Sequence, residues 1–319
     1  MQFEQAMQEK TKIAEKIVRD HLDAYLRENH NPYVNTILEA MDYSVMAGGK
    51  RLRPLLMQEV FEMLSEGRTE LRDERREALE VFMTAMEMIH TYSLVHDDLP
   101  AMDNDSFRRG KETTWKVYGD GMGVLAGDAL LNAAFEFVFH YLQKEMEKGN
   151  AEHMAFYKAI VDCGAMLSQK ACVDGMLGGQ VADVEAEKKA LPMSMERLLF
   201  IHAKKTAALI EASMGIGAIL AGAAPKTVQK VLEIANKIGI AFQVQDDILD
   251  VEGDLKELGK PIGSDASSGK ETFVTLIGLE ESHKEVKRLS EEAVLELQGL
   301  PGDHEFLREL ILFLIYRKK

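Results

Sequence analysis

Two clusters of aspartates have the spacing that most clearly indicates chemistry in this sequence. The clusters are Asp97, Asp98 and Asp103, and Asp246, Asp247 and Asp250. Each follows an apolar helical run, and neither has the Lys or Arg four residues away that a solvated acidic helix face normally has. Because neighbouring carboxylates repel and raise each other's pKa, a bound divalent cation is the simplest explanation. Oxygen ligands without a Cys or His set favour Mg²⁺, which usually shares its coordination with substrate phosphates.

The two clusters place different demands on the fold. The aspartates of the second cluster and the preceding Gln243 are spaced i, i+3, i+4 and i+7, which puts all four on one helix face. Asp97 and Asp103 are six residues apart, and a continuous helix would separate them by about 240°. Pro100 indicates that the helix ends or bulges between them, which would bring Asp103 back towards Asp97.

Basic residues also occur in groups near these clusters. They are Lys50, Arg51 and Arg53 between a glycine pair and a proline, then Arg108 and Arg109, Lys204 and Lys205, and Lys260. Surface charge explains any one group, but it does not explain four groups in a chain this acidic. Backbone N–H groups at a helix start also suit an anion. The sequence therefore predicts a protein that binds diphosphate through metal ions and direct cation contacts.

The overall composition argues against several classes of protein. The 319 residues are 46% hydrophobic and carry a formal charge of −15, which disfavours non-specific binding to nucleic acid. Cys163 and Cys172 are too few for a disulfide framework, which indicates a reducing compartment. The polar N-terminus does not resemble a signal peptide, and the apolar stretch 310–316 is far shorter than the about 20 residues that span a bilayer. We therefore expect a cytoplasmic protein without stable membrane insertion.

The pattern of apolar residues predicts an all-α fold of roughly ten or more helices. Prolines are few, and none occurs between Pro100 and Pro192. Helical periodicity marks the segments 79–95, 124–142, 155–176, 198–220, 228–251 and 306–316. The segment 214–222 is apolar nearly all round, which is typical of either a central helix or a subunit interface. Without a linker or a shift in composition, we predict one domain over residues 1–319.

Seven segments in this order resemble the trans-isoprenyl diphosphate synthases, and most closely the bacterial farnesyl diphosphate synthases. They are 48–54 (GGKRLRP), 87–110 (EMIHTYSLVHDDLPAMDNDSFRRG), 124–131 (VLAGDALL), 175–183 (GMLGGQVAD), 201–210 (IHAKKTAALI), 241–250 (AFQVQDDILD) and 258–269 (LGKPIGSDASSG). The resemblance implies a single helical bundle of the isoprenoid synthase type around a central cavity. It also implies a homodimer.

The resemblance assigns a role to each matching residue. It implies that Asp97 and Asp103 bind two Mg²⁺ ions and Asp246 a third, supported by Asp98, Asp247 and Asp250. The residues implied to hold the diphosphate of isopentenyl diphosphate are Lys50, Arg53, His90 and Arg109. Those implied to hold the allylic diphosphate are Arg108, Lys205 and Lys260. Thr206 and Gln243 are implied to lie near the forming carbocation.

The implied reaction is a head-to-tail (1′-4) condensation of isopentenyl diphosphate with dimethylallyl or geranyl diphosphate. It proceeds through an allylic carbocation and gives farnesyl diphosphate. The resemblance implies that an aromatic residue at the position of Tyr92 is typical of family members whose product stops at C15. Ser93 faces the same turn of the helix. The alternative is that Tyr92 is an ordinary core aromatic, so geranyl (C10) and geranylgeranyl (C20) diphosphate stay open as products.

Five positions depart from the common family pattern without removing an implied ligand. They are Ser106 for an acidic residue, Trp115 for His, Ala207 for Gly, and Glu271 and Phe273 for Ser and Tyr. We expect these departures to affect substrate fit and rate, and not the presence of activity.

Other functions fit the residues less well. A terpene cyclase has the same first motif, but its second metal site mixes Asn/Asp, Ser/Thr and Glu, and it needs no second diphosphate site. A non-catalytic partner subunit of a synthase typically lacks the acidic ligands. A helical interaction protein would show no Mg²⁺-dependent diphosphate binding. A metal phosphohydrolase, suggested by His96 beside Asp97, would need further histidine ligands that are not evident.

Overall fold

The structure is a computed structural model that describes residues 2–66, 72–148, 153–188, 192–252 and 271–316. Its helices are α1 (Gln2–Glu28), α2 (Asn35–Val45), α3 (Leu52–Ser65), α4 (Arg72–Asp97), α5 (Thr114–Tyr118), α6 (Asp120–Glu147), α7 (Met154–Ala171), α8 (Met176–Lys188), α9 (Met195–Ile201), α10 (Ala208–Leu220), α11 (Pro225–Glu252), α12 (Phe273–Ile277), α13 (Leu279–Gln298) and α14 (Glu305–Ile315). A π-helical segment, His202–Ala207, joins α9 to α10. Two short strands, β1 (Phe107–Arg108) and β2 (Lys111–Glu112), pair antiparallel. The prediction of an all-α fold is confirmed.

The chain divides into two compact units, so the expectation of one domain stays a prediction. The first unit comprises Met1–Gln58 and Gly67–Gly164. Within it α4 packs against α1 and α6, and α2 packs against α6. The buried residues of α4 recur at helical spacing, with Phe82, Met86 and Ile89 fully inaccessible to solvent. This apolar face fixes the helix that ends at the first acidic cluster.

The second unit comprises Glu59–Glu66 and Ala165–Lys319. Its central helix is α11, which packs against α10, α13 and the π-helical segment. Residues 208–218 of α10 are all buried. Of the two alternatives for the apolar segment 214–222, the structure therefore supports the central helix.

Two predicted helical segments differ from regular α-helices in the structure. Helical periodicity over 155–176 predicts one helix, but α7 ends at Ala171 and α8 begins at Met176. A turn separates them, closed by a hydrogen bond from the Gly175 N–H to the Cys172 carbonyl (2.9 Å). The segment 198–220 is helical throughout, but its middle adopts the π form, which is common at functional sites.

One helix among the described residues, α6, is long and apolar enough by length and composition to cross a membrane. It packs against α2, α4 and α5 within the first unit, and 39% of its most apolar 18-residue window is buried. The absence of membrane insertion stays a prediction.

Candidate active site

The first acidic cluster lies where α4 ends. The last residue of α4 is Asp97, and the N–H of Asp103 donates back to the carbonyl oxygen of Asp97 (2.9 Å). Asn104, with a left-handed φ of 56°, donates its N–H to the Leu99 carbonyl (3.1 Å). The prediction that the chain turns back near Pro100 is confirmed, so Asp97 and Asp103 are neighbours despite their spacing.

The negative charge of Asp98 is neutralised by Arg108, a pairing that local sequence spacing does not predict. The Asp98 carboxylate accepts a hydrogen bond from Nε of Arg108 on β1 (2.8 Å) and lies 2.7 Å from Nη2 of the same guanidinium. Burial raises the pKa of Asp98 above its ordinary value, while Arg108 opposes that rise. The pair fixes the guanidinium of Arg108 beside the first acidic cluster.

The hairpin that carries Arg108 is held by side chains on both sides. Trp115 donates its indole N–H to the Asp105 carbonyl (2.8 Å), and the Thr113 hydroxyl donates to the same oxygen (2.7 Å). Tyr43 of α2 donates its hydroxyl to the Glu112 carbonyl (2.7 Å). Trp115, which stands where the family commonly has His, therefore helps to hold this loop through its indole N–H.

The glycine-rich loop before α3 meets this hairpin through Arg109. Arg109 donates to the Gly48 carbonyl, and its guanidinium lies against Gly49, where an added Cβ would be 2.6 Å from Nη1. Gly49 also has a φ of 140°, which side chains rarely adopt. Glycine at this position thus permits the loop conformation and leaves room for the guanidinium of Arg109.

Gly49→Ala is expected to lower stability by about 1–3 kcal/mol and to displace Arg109. The Michaelis constant (KM) of the substrate whose diphosphate Arg109 holds should then rise. Gly119→Ala is the matched control, because Gly119 has a φ of 89° but open space around its Cβ position. Steady-state kinetics and thermal melts of both variants test this. An equal rise of KM in both variants would contradict the role given to Arg109.

His90 lies on α4 among arginines. The pKa of His90 is well below its ordinary value because of burial and because of Arg53, Arg109 and further arginines nearby. Burial also lowers the pKa of Arg53, to about 10. At neutral pH the imidazole is therefore uncharged, and it can donate a hydrogen bond from one ring nitrogen.

The free energy of unfolding is expected to fall as the pH drops below about 6.5, the ordinary pKa of His. Below that pH the unfolded chain protonates His90, whereas the folded chain keeps it neutral because its pKa is lowered. The unfolded state then binds more protons, so stability rises with pH in this window and is lost as the pH falls. Urea unfolding of the wild type and of His90→Gln between about pH 5 and about pH 7.5 tests this. The variant should show the smaller slope, by up to about 1.4 kcal/mol per pH unit, and equal slopes would contradict the prediction.

The second acidic cluster lies on α11, which is unbroken from Pro225 to Glu252. Its aspartates and Gln243 therefore share one helix face, as predicted. Asp247 is buried, accepts the backbone N–H of Phe273 (2.8 Å) and lies 3.6 Å from Nε2 of His202. The Phe273 ring stacks on that of His202, with centroids 6.3 Å apart. Asp247 thus anchors the start of α12, while Asp246 and Asp250 are half-buried.

The π-helical segment brings three predicted residues into one place. Lys205 Nζ lies 2.7 Å from the carboxylate of Asp183, and the Thr206 hydroxyl donates to Oε1 of Gln243 (2.8 Å). Gly239 lets α11 approach this segment, because a Cβ there would lie 2.3 Å from that of Ala207. A cavity of about 150 Å³ is lined by these polar side chains together with His202 and Asp247. Lys260 lies outside the described residues.

Sequence reasoning missed the acid that holds Lys205. Asp183 ends the quoted motif 175–183, but no local spacing pairs it with a lysine 22 residues later. Arg51 was grouped with the cations predicted to contact diphosphate, and Glu87 was given no role. The structure corrects this, because the two side chains form a buried ion pair (2.9 Å).

The donor atoms suit Mg²⁺ without forming a closed cage. Within the described ranges, no three His, Cys, Asp or Glu side chains come together as a group that could enclose a metal ion. Asp97, Asp103 and Asp246 offer carboxylate oxygens only, which fits Mg²⁺, an ion that keeps waters and takes substrate phosphates as ligands. The ligand assignments themselves stay predictions.

Tyr92 lies on α4, five residues before Asp97 and therefore about 7.5 Å along the helix axis. Its side chain is buried, and its ring packs edge-on against that of His96 (5.8 Å). His96 Nε2 donates to the Val124 carbonyl of α6 (3.0 Å). Ser93 donates its hydroxyl to the His90 carbonyl (2.8 Å), so that hydroxyl is engaged by the backbone of its own helix.

Comparison with known proteins identifies the family of the chain. The family model described as Polyprenyl synthetase matches residues 34–299. Farnesyl diphosphate synthase from Bacillus subtilis is 38% identical over 92% of this chain and 93% of its own length. "Putative geranylgeranyl pyrophosphate synthase 8, chloroplastic" from Arabidopsis thaliana is 43% identical over 84% of this chain and 70% of its own.

Solved structures share the fold. The crystal structure of geranyltransferase from Helicobacter pylori, complexed with magnesium and isoprenyl diphosphate, has a TM-score of 0.73 and 31% identity, with 96% of each chain covered. The family match spans most of the chain and includes both acidic clusters. The chain therefore belongs to the polyprenyl synthetase family, the trans-isoprenyl diphosphate synthases, which are prenyltransferases of isoprenoid biosynthesis.

Proposed function

We propose that the chain is a farnesyl diphosphate synthase, which condenses isopentenyl diphosphate with dimethylallyl and then geranyl diphosphate. The observation that carries the C15 product is the buried aromatic ring of Tyr92, one and a half helical turns before Asp97. A residue of this size would limit how far a growing chain extends along α4. The Bacillus subtilis relative, named a farnesyl diphosphate synthase, aligns over nearly its whole length and supports this proposal.

In this proposal the allylic diphosphate is the leaving group. Its C–O bond breaks with the electron pair going to the diphosphate, and N–H donors of Arg108, Lys205 and Lys260 stabilise that charge. Asp98 holds Arg108 and Asp183 holds Lys205, so both cations are oriented before the substrate arrives. Fixed donors of this kind avoid reorganisation during the reaction.

Asp97, Asp103 and Asp246 would hold the three Mg²⁺ ions, with Asp98, Asp247 and Asp250 in support. Bound Mg²⁺ supplies neutralisation of phosphate charge. In this proposal the dipoles of Thr206 and Gln243 steady positive charge on the allylic carbons, and the hydrogen bond between the two side chains supports that role.

The second substrate supplies the nucleophile. The diphosphate of isopentenyl diphosphate is held by Lys50, Arg53 and Arg109, with His90 as a neutral N–H donor. Its double bond attacks the allylic carbon and forms the new C–C bond, and a proton is then lost to restore a double bond. No protein side chain is assigned as the base, and the released diphosphate is the proposed acceptor.

A geranylgeranyl diphosphate synthase is the second candidate, because the Arabidopsis relative carries that name. It would use the same residues and differ in where chain growth stops. A non-catalytic partner subunit is less favoured, because both acidic clusters and the cations that accompany them within the described residues are present.

We further propose a cytoplasmic homodimer. Leu125, Phe139 and Met146 recur at multiples of seven along α6, and all three are exposed. An exposed apolar stripe of this kind is typical of a surface that another chain covers. Light scattering on a sizing column should give twice the mass of one chain, and a monomer at micromolar concentration would contradict the dimer.

A condensation assay tests the activity directly. Purified protein with Mg²⁺, isopentenyl diphosphate and dimethylallyl diphosphate should release inorganic diphosphate only when both substrates and the metal are present. Release that needs only one of the substrates would point to a cyclase or a phosphohydrolase. No release, with Mg²⁺-dependent diphosphate binding in a thermal-shift assay, would favour the partner subunit.

A further inference from the structure

The proposed site for isopentenyl diphosphate contains more arginine than its implied ligands require. Arg51 stands between Lys50 and Arg53 in sequence, yet only 1% of its side chain is exposed, so it is not placed to receive a substrate. Its guanidinium instead donates to the Glu87 carboxylate from Nη1 (2.9 Å) and to the Val45 carbonyl from Nη2 (2.7 Å). Arg51 therefore joins the loop to α4 and to the end of α2.

The backbone of Arg51 shows what this anchoring achieves. Its φ is 45°, a left-handed conformation that is uncommon for a residue with a side chain. The conformation persists because hydrogen bonds to the Glu87 carboxylate and to the Val45 carbonyl hold the buried guanidinium in place. It sets the direction in which the chain leaves Lys50 and enters α3, where Arg53 lies.

Glu87 also acts on the other cations of the group. It lies on α4 one turn before His90 and is 4% exposed. Its negative charge raises the pKa of Arg53 and of Arg109, in opposition to burial and to the repulsion among the arginines. Glu87 thus stabilises cations that would otherwise repel one another before a diphosphate binds. It does so together with Glu15, 3.5 Å from Arg51, and with Asp98, which also raises the pKa of Arg109.

We propose that Glu87 and Arg51 are a positioning pair for the isopentenyl diphosphate site, and that neither touches the substrate. This inference rests on the proposed function, since it assigns the geometry of Lys50, Arg53 and Arg109 to a buried ion pair behind them. It predicts that variants of the pair bind isopentenyl diphosphate more weakly and bind the allylic substrate as the wild type does.

The test uses Glu87→Gln, which keeps the shape of the side chain and removes its charge, and Arg51→Lys, which keeps the charge and loses the forked donors. Each variant should raise the KM of isopentenyl diphosphate about tenfold or more, while the KM of the allylic substrate changes less than about twofold. KM does not depend on the fraction of protein that is active, so partial unfolding does not produce this difference.

Glu145→Gln is the matched control, because Glu145 is a fully buried carboxylate of the same unit with its own partner, Lys148. It should lower the melting temperature and leave both KM values unchanged. The double variant Glu87→Leu/Arg51→Met replaces the pair by apolar side chains, which often restores stability. Its melting temperature should be higher than those of the two single variants, while its KM for isopentenyl diphosphate should stay raised.

Two kinetic results would overturn the proposal. One is an equal change of both KM values in the single variants, and the other is a normal KM for isopentenyl diphosphate in the double variant. Failure of the proposed function would look different, because the wild type itself would then not condense the two substrates. In that case calorimetric binding of inorganic diphosphate to the wild type and to Glu87→Gln still decides whether the pair positions an anion site. Equal affinities would overturn it.

Discussion

Replacing Asp97 or Asp246 with alanine is expected to lower turnover by about 10²–10³-fold or more, with an unchanged helical circular dichroism spectrum. Each carboxylate is a proposed Mg²⁺ ligand, and lost metal contacts of several kcal/mol correspond to rate losses of this size. Neither side chain is part of the apolar core, since both are half-buried at a helix end or on a helix face. The fold should therefore survive each substitution.

The kinetics should also depend on metal concentration. Both variants are expected to need more Mg²⁺ for half-maximal rate than the wild type, because each lacks a charged ligand. Glu291→Ala is the control, as Glu291 is an exposed acid on α13 outside both clusters. It should behave as the wild type. A near-normal rate in Asp97→Ala or in Asp246→Ala would contradict the metal assignment for that cluster.

Tyr92→Ala is expected to shift the main product from C15 towards C20 or longer chains. The substitution removes a buried ring on α4 and opens space along the helix before Asp97. It should also lower stability by about 3 kcal/mol or more, as large-to-small changes in a core do. Product sizing with geranyl diphosphate as the primer measures the shift.

Tyr92→Phe separates the ring from its hydroxyl. Phenylalanine keeps the edge-on contact with His96, so this variant should still stop at C15. An unchanged product profile in Tyr92→Ala would show that another residue limits the product length, and Tyr92 would then be an ordinary core aromatic.

The features predictable from sequence were those that depend on local spacing. The i, i+3, i+4, i+7 pattern placed the second acidic cluster on one helix face because α11 is regular there. Pro100 correctly indicated a break, and the hydrogen bond from Asp103 to Asp97 is its consequence. Both inferences need only the geometry of one helix and its end.

The ion pairs that the sequence did not predict join different elements of the fold. Asp98 with Arg108 and Lys205 with Asp183 become pairs only when separate elements pack together. The π form of His202–Ala207 was also missed, since helical periodicity does not distinguish one extra residue in a turn. The sequence shows which basic and acidic residues are clustered. Only the fold shows which acidic side chain pairs with which basic one.

Product sizing with a panel of primers tests the central claim most directly. Purified protein with Mg²⁺ and labelled isopentenyl diphosphate is given C5, C10 or C15 allylic diphosphates separately, and the products are separated by chromatography. We predict mainly C15 product from the C5 and C10 primers, with little use of the C15 primer. Efficient extension of the C15 primer to C20 or beyond would contradict the assignment as a farnesyl diphosphate synthase.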